Sequence, residues 1–221
     1  MGALEWFKDT KLIALANAVQ SDDAGRIRQL VQEGANVNGK GEGGMTLAAW
    51  AIGHQKKAAL KALLENGASA NASDDEGYPV LELALENKDD DYFRLLMASG
   101  ADPNTKNRNG EPILYTAIRK ERWQAFQTLL DKGANINARG KAQTTPLITL
   151  ARLSEYEQAF RLLEKGADFR AVDAGGATLA WETQEDILDA KSPQAPWRER
   201  VKQFLQAQGV KFPVPRPEPP K

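Results

Sequence analysis

A five-residue pattern that recurs at a fixed interval constrains this chain more than any other feature. Gly34-Ala35-Asn36-Val37-Asn38 is followed 33 residues later by Gly67-Ala68-Ser69-Ala70-Asn71. The same step leads to Gly100-Ala101-Asp102-Pro103-Asn104, Gly133-Ala134-Asn135-Ile136-Asn137 and Gly166-Ala167-Asp168-Phe169-Arg170. Five in-register copies define a repeat array, in which each unit buries its apolar face only against its neighbours. Ahead of the later glycines, apolar residues fall at helical spacing: Leu60 with Leu63-Leu64, Phe93 with Leu96-Met97, Phe126 with Leu129-Leu130, and Ala159 with Leu162-Leu163. A glycine just past that turn is placed to take the left-handed conformation that closes a helix. A second apolar segment opens with Thr46-Leu47-Ala48, Pro79-Val80-Leu81, Pro112-Ile113-Leu114 or Thr145-Pro146-Leu147. Proline is tolerated at a helix start, where its missing N–H has no partner anyway. The unit is turn, helix, short turn, helix, glycine stop, and the fold class is all-α.

A 33-residue period with Thr-Pro-Leu-like starts and Gly-Ala-Asp-like ends resembles the ankyrin repeat family. The resemblance runs from about residue 10 to 210 and implies a solenoid of about six helix-turn-helix units. There are departures. The family's histidine is replaced by Ala49, Glu82, Tyr115 and Ile148, and its threonine survives as Thr46, Thr145 and Thr178 but gives way to Pro79 and Pro112. The hydrogen bonds those residues usually make are therefore expected to be partly missing. The expected organisation is one domain over 1–210, with an N-terminal cap unit at 4–34, repeats at 35–170 and a C-terminal cap unit at 171–210. That last unit carries an enlarged loop at 186–196, because Gly209 follows Gly166 by 43 residues rather than 33. Residues 211–221 form a Pro-rich tail, expected as solvated polyproline-like chain.

Net charge is -1 and the pI about 6.0, which supplies no whole-chain attraction to nucleic acid or membranes. The absence of cysteine removes disulfides and thiolate metal sites. No run approaches the roughly 18 apolar residues of a membrane span. Gly39-Lys40-Gly41-Glu42-Gly43-Gly44 matches G-x-G-x-x-G but falls on a repeat turn instead of between a strand and a helix, so it reads as a glycine-rich tip. Asp89-Asp90-Asp91 near a helix start serves the helix dipole and solvation. His54 is the one histidine and no G-x-S-x-G is present, so no enzyme, metal or cofactor is expected. The aligned column Lys56, Asp89, Arg122, Glu155 alternates in sign and reads as register and solubility.

The resemblance implies that partners are held by turn tips and by exposed residues late in each first helix. Carried onto this sequence, those positions are Lys40, Glu42, Met45 and His54, then Asp75, Glu76, Tyr78, Glu86 and Asn87. The next repeats supply Lys106, Arg108, Glu111, Arg119 and Lys120, then Arg139, Lys141, Thr144, Arg152 and Leu153. These last two sets hold seven basic residues against one acidic. The expectation is a concave basic patch of Lys106, Arg108, Arg119, Lys120, Arg139, Lys141 and Arg152, meeting acidic groups of a partner beside an acidic patch at Asp75, Glu76 and Glu86. The competing reading is that tips are charged because they are wet. Trp123 and Tyr156 share a column and are candidate aromatic anchors, with packing between repeats the competing role for Trp123.

The function expected is non-catalytic protein binding. The chain looks like small stand-alone bacterial ankyrin proteins, some of which are periplasmic immunity proteins that neutralise phospholipase effectors of type VI secretion systems. That resemblance implies a toxin inhibitor in the periplasm, its leader replaced at Met1-Gly2-Ala3, with a protein partner and neither nucleic acid nor membrane insertion. The alternatives are a cytoplasmic scaffold or regulatory adaptor whose own start is Met1, and a hydrolase or ligand-binding protein on the same frame.

Overall fold

A computed structural model describes residues 2–219; Met1, and the tail residues Pro220 and Lys221, lie outside the described residues. Thirteen α-helices fall among them, in two compact units, Met1–Gly133 and Ala134–Lys221.

In the first unit a short α1 (Ala3–Trp6) precedes four helix pairs: α2 (Thr10–Gln20) with α3 (Ala24–Gln32), α4 (Leu47–Gly53) with α5 (Lys57–Glu65), α6 (Val80–Glu86) with α7 (Asp90–Ala98), and α8 (Ile113–Arg119) with α9 (Trp123–Asp131). First helices pack on first helices and second helices on second. The core is built from the apolar columns of the sequence: Leu60, Phe93 and Phe126, then Leu63, Leu96 and Leu129, and Ile52, Leu85 and Ile118 are all buried. Each glycine stop takes the left-handed conformation, with φ of +85° at Gly34 and +91° at Gly67. At the first stop the N–H of Gly34 bonds the Val31 carbonyl, and that of Ala35 reaches Leu30 (both 2.9 Å), the paired closure that satisfies a helix end.

The last residue of the motif ties one repeat to the next. Asn38 Nδ2 donates to the Gly67 carbonyl while its Oδ1 accepts the Ser69 N–H, both at 2.8 Å. Asn71 makes the same pair with Gly100 (3.1 Å) and Asp102 (2.7 Å), and Asn104 donates to Gly133 (3.2 Å). The third motif residue closes a local turn: the side-chain oxygens of Asn36, Ser69 and Asp102 each accept the N–H two residues on. That is why the position holds only short polar side chains.

The second unit contains α10 (Pro146–Arg152), α11 (Tyr156–Glu164), α12 (Leu179–Glu185) and α13 (Ala195–Ala207), with α10 against α12 and α11 against α13. Asn137 again accepts a forward N–H, from Asp168 (2.9 Å). Residues 186–194 link α12 to α13 and are pinned by Ser154 Oγ on the Asp186 carboxylate and by the Glu157 N–H on Gln194 Oε1, both 2.9 Å.

Several details depart from the sequence reading. Thr46, Thr145 and Thr178 do cap their helices, accepting from the N–H of Ala49, Ile148 and Trp181, whereas Pro79 and Pro112 hold the cap position without a side-chain bond. The alternating charge column pairs one residue out of line: Lys57, next to Lys56, holds Asp89 (2.5 Å) and Asp91 (2.6 Å), and Arg122 pairs with Asp90. The Pro-rich tail is not free in solvent, because Val214 is bonded to Gln184 of α12.

One tip carries a strained residue. The column Gly44, Gly77, Gly110, Gln143, Gly176 has positive φ throughout, and Gln143 (+57°) is its one member with a side chain. A non-glycine residue there costs roughly 1–2 kcal/mol, part of which glycine returns through its freer unfolded chain. Gln143→Gly should therefore stabilise the protein by about 0.5–1 kcal/mol. An unchanged or lower urea midpoint would show that the geometry carries no such cost.

Candidate partner-binding groove

The tips of the first unit are fixed by side chains that accept main-chain N–H groups. Asp74 Oδ1 takes those of Glu76 (3.0 Å) and Tyr78 (2.8 Å), and Asn107 Oδ1 those of Asn109 (2.9 Å) and Glu111 (3.0 Å). Neighbouring tips meet at Gly44, where a Cβ would stand 2.4 Å from the Asp75 nitrogen. Tip and helix thus form a preset wall.

Between these tips and the helices α4 and α6 lies a groove of about 650 Å³. Met45, Ala49, Gly53, Leu83 and the rings of Trp6 and Tyr78 make it largely apolar, and every charged residue lining it is acidic: Glu42, Asp74, Asp75 and Glu76. Lys40 approaches Asp75 (3.6 Å) and Lys8 approaches Glu42 (3.9 Å), but both pairs are exposed and weak. Met45 and Tyr78 come from one tip column, and Ala49 and Leu83 from α4 and α6. Trp6 was beyond sequence reasoning, since α1 lies outside the repeat.

Behind the groove, the Tyr78 hydroxyl donates to Glu86 and the Arg108 guanidinium lies over the Tyr78 ring, 5.3 Å from its centre. Burial, then Glu86, pushes the Tyr78 phenol up, so it stays protonated. Glu82 stands where the family has histidine and accepts the Arg108 N–H of the next tip at 2.8 Å. The link expected to be missing there is supplied by a carboxylate.

Burial raises the Glu82 pKa, against the Arg108 N–H, which lowers it. A raised acid binds its proton more readily in the folded state, so its contribution falls as pH rises from the ordinary carboxylate value through the raised one. Wild type minus Glu82→Gln stability, from urea titrations at successive pH values, should decline across that window and then level off. A flat difference would mean that the carboxyl titrates as in the unfolded chain.

The basic positions are mostly matched where they stand. In the first unit Arg119 pairs with Glu111 (3.0 Å), Arg108 is stacked as described, and Lys106 and Lys120 are exposed. In the second unit Arg139 donates to the carbonyls of Gln143 and Val172 (both 2.6 Å), Arg152 pairs with Asp173 and Glu182 (both 2.6 Å), and Lys141 is exposed on a short 3-10 turn. The seven divide between the two units, four and three, and Arg119, Arg139 and Arg152 are committed within the chain. Asp75 and Glu76 are exposed at the groove rim. Tyr156 is not a contact residue: it is fully buried, and burial beside Asp186 keeps its hydroxyl protonated. Trp123 is half-buried at the start of α9, edge-on to Phe126 at 6.2 Å, which is packing.

Among the described residues no three His, Cys, Asp or Glu side chains converge as a metal site, and no helix is long and apolar enough to cross a membrane.

Stacked helix pairs joined by tight tips place the chain among all-α repeat proteins. A family profile described as ankyrin repeats in three copies matches residues 15–107 and again 81–173, and the chain belongs to the ankyrin repeat family. Comparison with curated proteins finds no match. Among solved structures, the ankyrin repeat domain of Bcl-3, described as a unique member of the IkappaB protein family, is similar with a TM-score of 0.70. The identity is 24%, over 93% of this chain and 88% of that one, and the likeness is one of fold. Ankyrin repeats are in general protein-binding modules and typically non-catalytic.

Proposed function

We propose that this chain is a non-catalytic binding protein whose first unit holds a segment of another protein in the groove, and that the segment is apolar with basic flanks. One observation carries this: an apolar floor whose charged lining is acidic throughout. Fixed tips and helices lose little freedom on association, so contact energy is not spent on ordering the surface. The acidic rim steers and orients a basic approach. This reverses, for this site, the acidic partner expected from the basic tips.

The narrower proposal is an immunity protein of the periplasm that neutralises a toxin such as a type VI secretion phospholipase. Its support is the resemblance to small stand-alone bacterial ankyrin proteins. The test is to use the chain as bait in a bacterial lysate and a periplasmic extract, eluting with salt. One stoichiometric partner whose lipase activity the chain suppresses would support both levels. Many weak partners would favour a scaffold or adaptor and sink the inhibitor reading, and no partner would sink the binding proposal itself.

A further inference from the structure

We propose that the last helix pair carries a second docking site, which takes an extended, proline-bounded peptide, and that the chain's own residues 212–218 occupy it as a resident ligand. The site begins with a substitution. In the column Ile52, Leu85, Ile118, Ala151, each residue is buried and apolar, and the next member is Gln184. Its amide is used in both directions: the Val214 N–H donates to Oε1 at 2.7 Å, and Nε2 donates to the Val214 carbonyl at 3.3 Å. A side-chain amide that pairs with both main-chain groups of one residue imitates a neighbouring strand, the mode by which extended peptides are bound.

The resident segment suits that mode. Phe212-Pro213-Val214-Pro215-Arg216-Pro217 alternates prolines with residues that keep their N–H, so Val214 presents a donor between two positions that have none. Prolines also restrict the chain before it binds, and from Val214 to Glu218 it runs without helix or turn. The Lys202 ammonium lies 5.5 Å from the centre of the Phe212 ring. At the other end the main chain of Glu218 crosses Gly176, where a Cβ would stand 1.9 Å from the Glu218 carbonyl oxygen. Space of about 650 Å³ remains under the strap, beside Phe169, Trp181 and Val210. The resident underfills its site, and a competitor with a bulkier residue in place of Val214 gains contact there.

The ligand class is an extended peptide of the form apolar-Pro-apolar-Pro. A tethered ligand competes at an effective concentration on the order of millimolar, so a peptide in trans binds weakly until the tether's own anchor is broken. The probe is a synthetic peptide matching residues 211–219, titrated by anisotropy into three full-length proteins: wild type, Val214→Pro, and Val214→Pro with Gln184→Ala. Val214→Pro deletes the resident's N–H and leaves the site intact. It should bind the peptide at least about tenfold more tightly than wild type, and the added Gln184→Ala should return that gain. Equal affinity of wild type and Val214→Pro, or no effect of Gln184→Ala, would overturn the proposal. Amide hydrogen exchange keeps it testable if Val214→Pro fails to fold. The Val214 N–H should exchange about tenfold faster in Gln184→Ala than in wild type, and equal rates would overturn it.

Discussion

Replacing Glu42 and Glu76 together by lysine should weaken capture of the partner by at least about tenfold and flatten its salt dependence. Both side chains are exposed at the groove, and the Glu42 ion pair with Lys8 is long, at 3.9 Å. Their reversal therefore has little to cost the fold. A basic segment entering the groove meets two cations instead of two anions, and the loss falls mainly on the association rate. The measurement is the affinity at low and at physiological salt, with the urea midpoint as control. Unchanged affinity at both salts with an unchanged midpoint would move the docking site off this groove. The same variant separates a charge-steered interface from one held by the apolar floor, which would lose little at high salt.

The largest expected effect on stability away from the core is that of Asn71→Ala. Asn71 makes two bonds across a repeat junction, and its loss removes the partners of the Gly100 carbonyl and the Asp102 N–H together. At about 1 kcal/mol per bond, with water able to reach both exposed groups, the cost is about 2 kcal/mol. Asn71→Asp keeps an acceptor for the Asp102 N–H but loses the donor to Gly100, and should fall between Ala and wild type. Urea unfolding decides it: two variants within a few tenths of a kcal/mol of wild type would show the junction bonds to be replaced by water at no loss. A lower slope in Asn71→Ala alone would show the first unit unfolding in parts, as an array does when one interface is weakened.

What was legible in the sequence is what depends on neighbours along the chain. The period, the glycine stops, the threonine and proline helix starts and the apolar columns are local or strictly periodic, and each stands in the structure where the spacing put it. The junction asparagines were visible as a column, but their acceptors lie 29 residues ahead, and no local rule pairs Asn71 with Gly100. The charges misled for a similar reason. Arg152 on a tip reads as a free cation until Asp173 and Glu182 are found beside it, 21 and 30 residues away. Tyr156 shares a column with half-buried Trp123, yet the segment 186–194 brings Asp186 over it, an insertion with no counterpart in other repeats. The tail defeated composition altogether: prolines predict an extended chain, and only Gln184 in an apolar column hinted that something polar was waiting for it.

The junction asparagines also bear on how such a chain changes length over generations. Each reaches forward into the next repeat, from Asn38, Asn71 and Asn104 in the first unit and from Asn137 in the second, and the fifth motif ends in Arg170 instead. A block of 33 codons copied or lost within the run of asparagines brings its own donor and recreates the acceptor at the new seam, so whole-unit gains and losses leave every junction bonded. The junction after Arg170 lacks that hook. The run of asparagines is thus open to duplication of whole units, whereas the pair α12 and α13, which follows Arg170, is joined by helix packing without that hook.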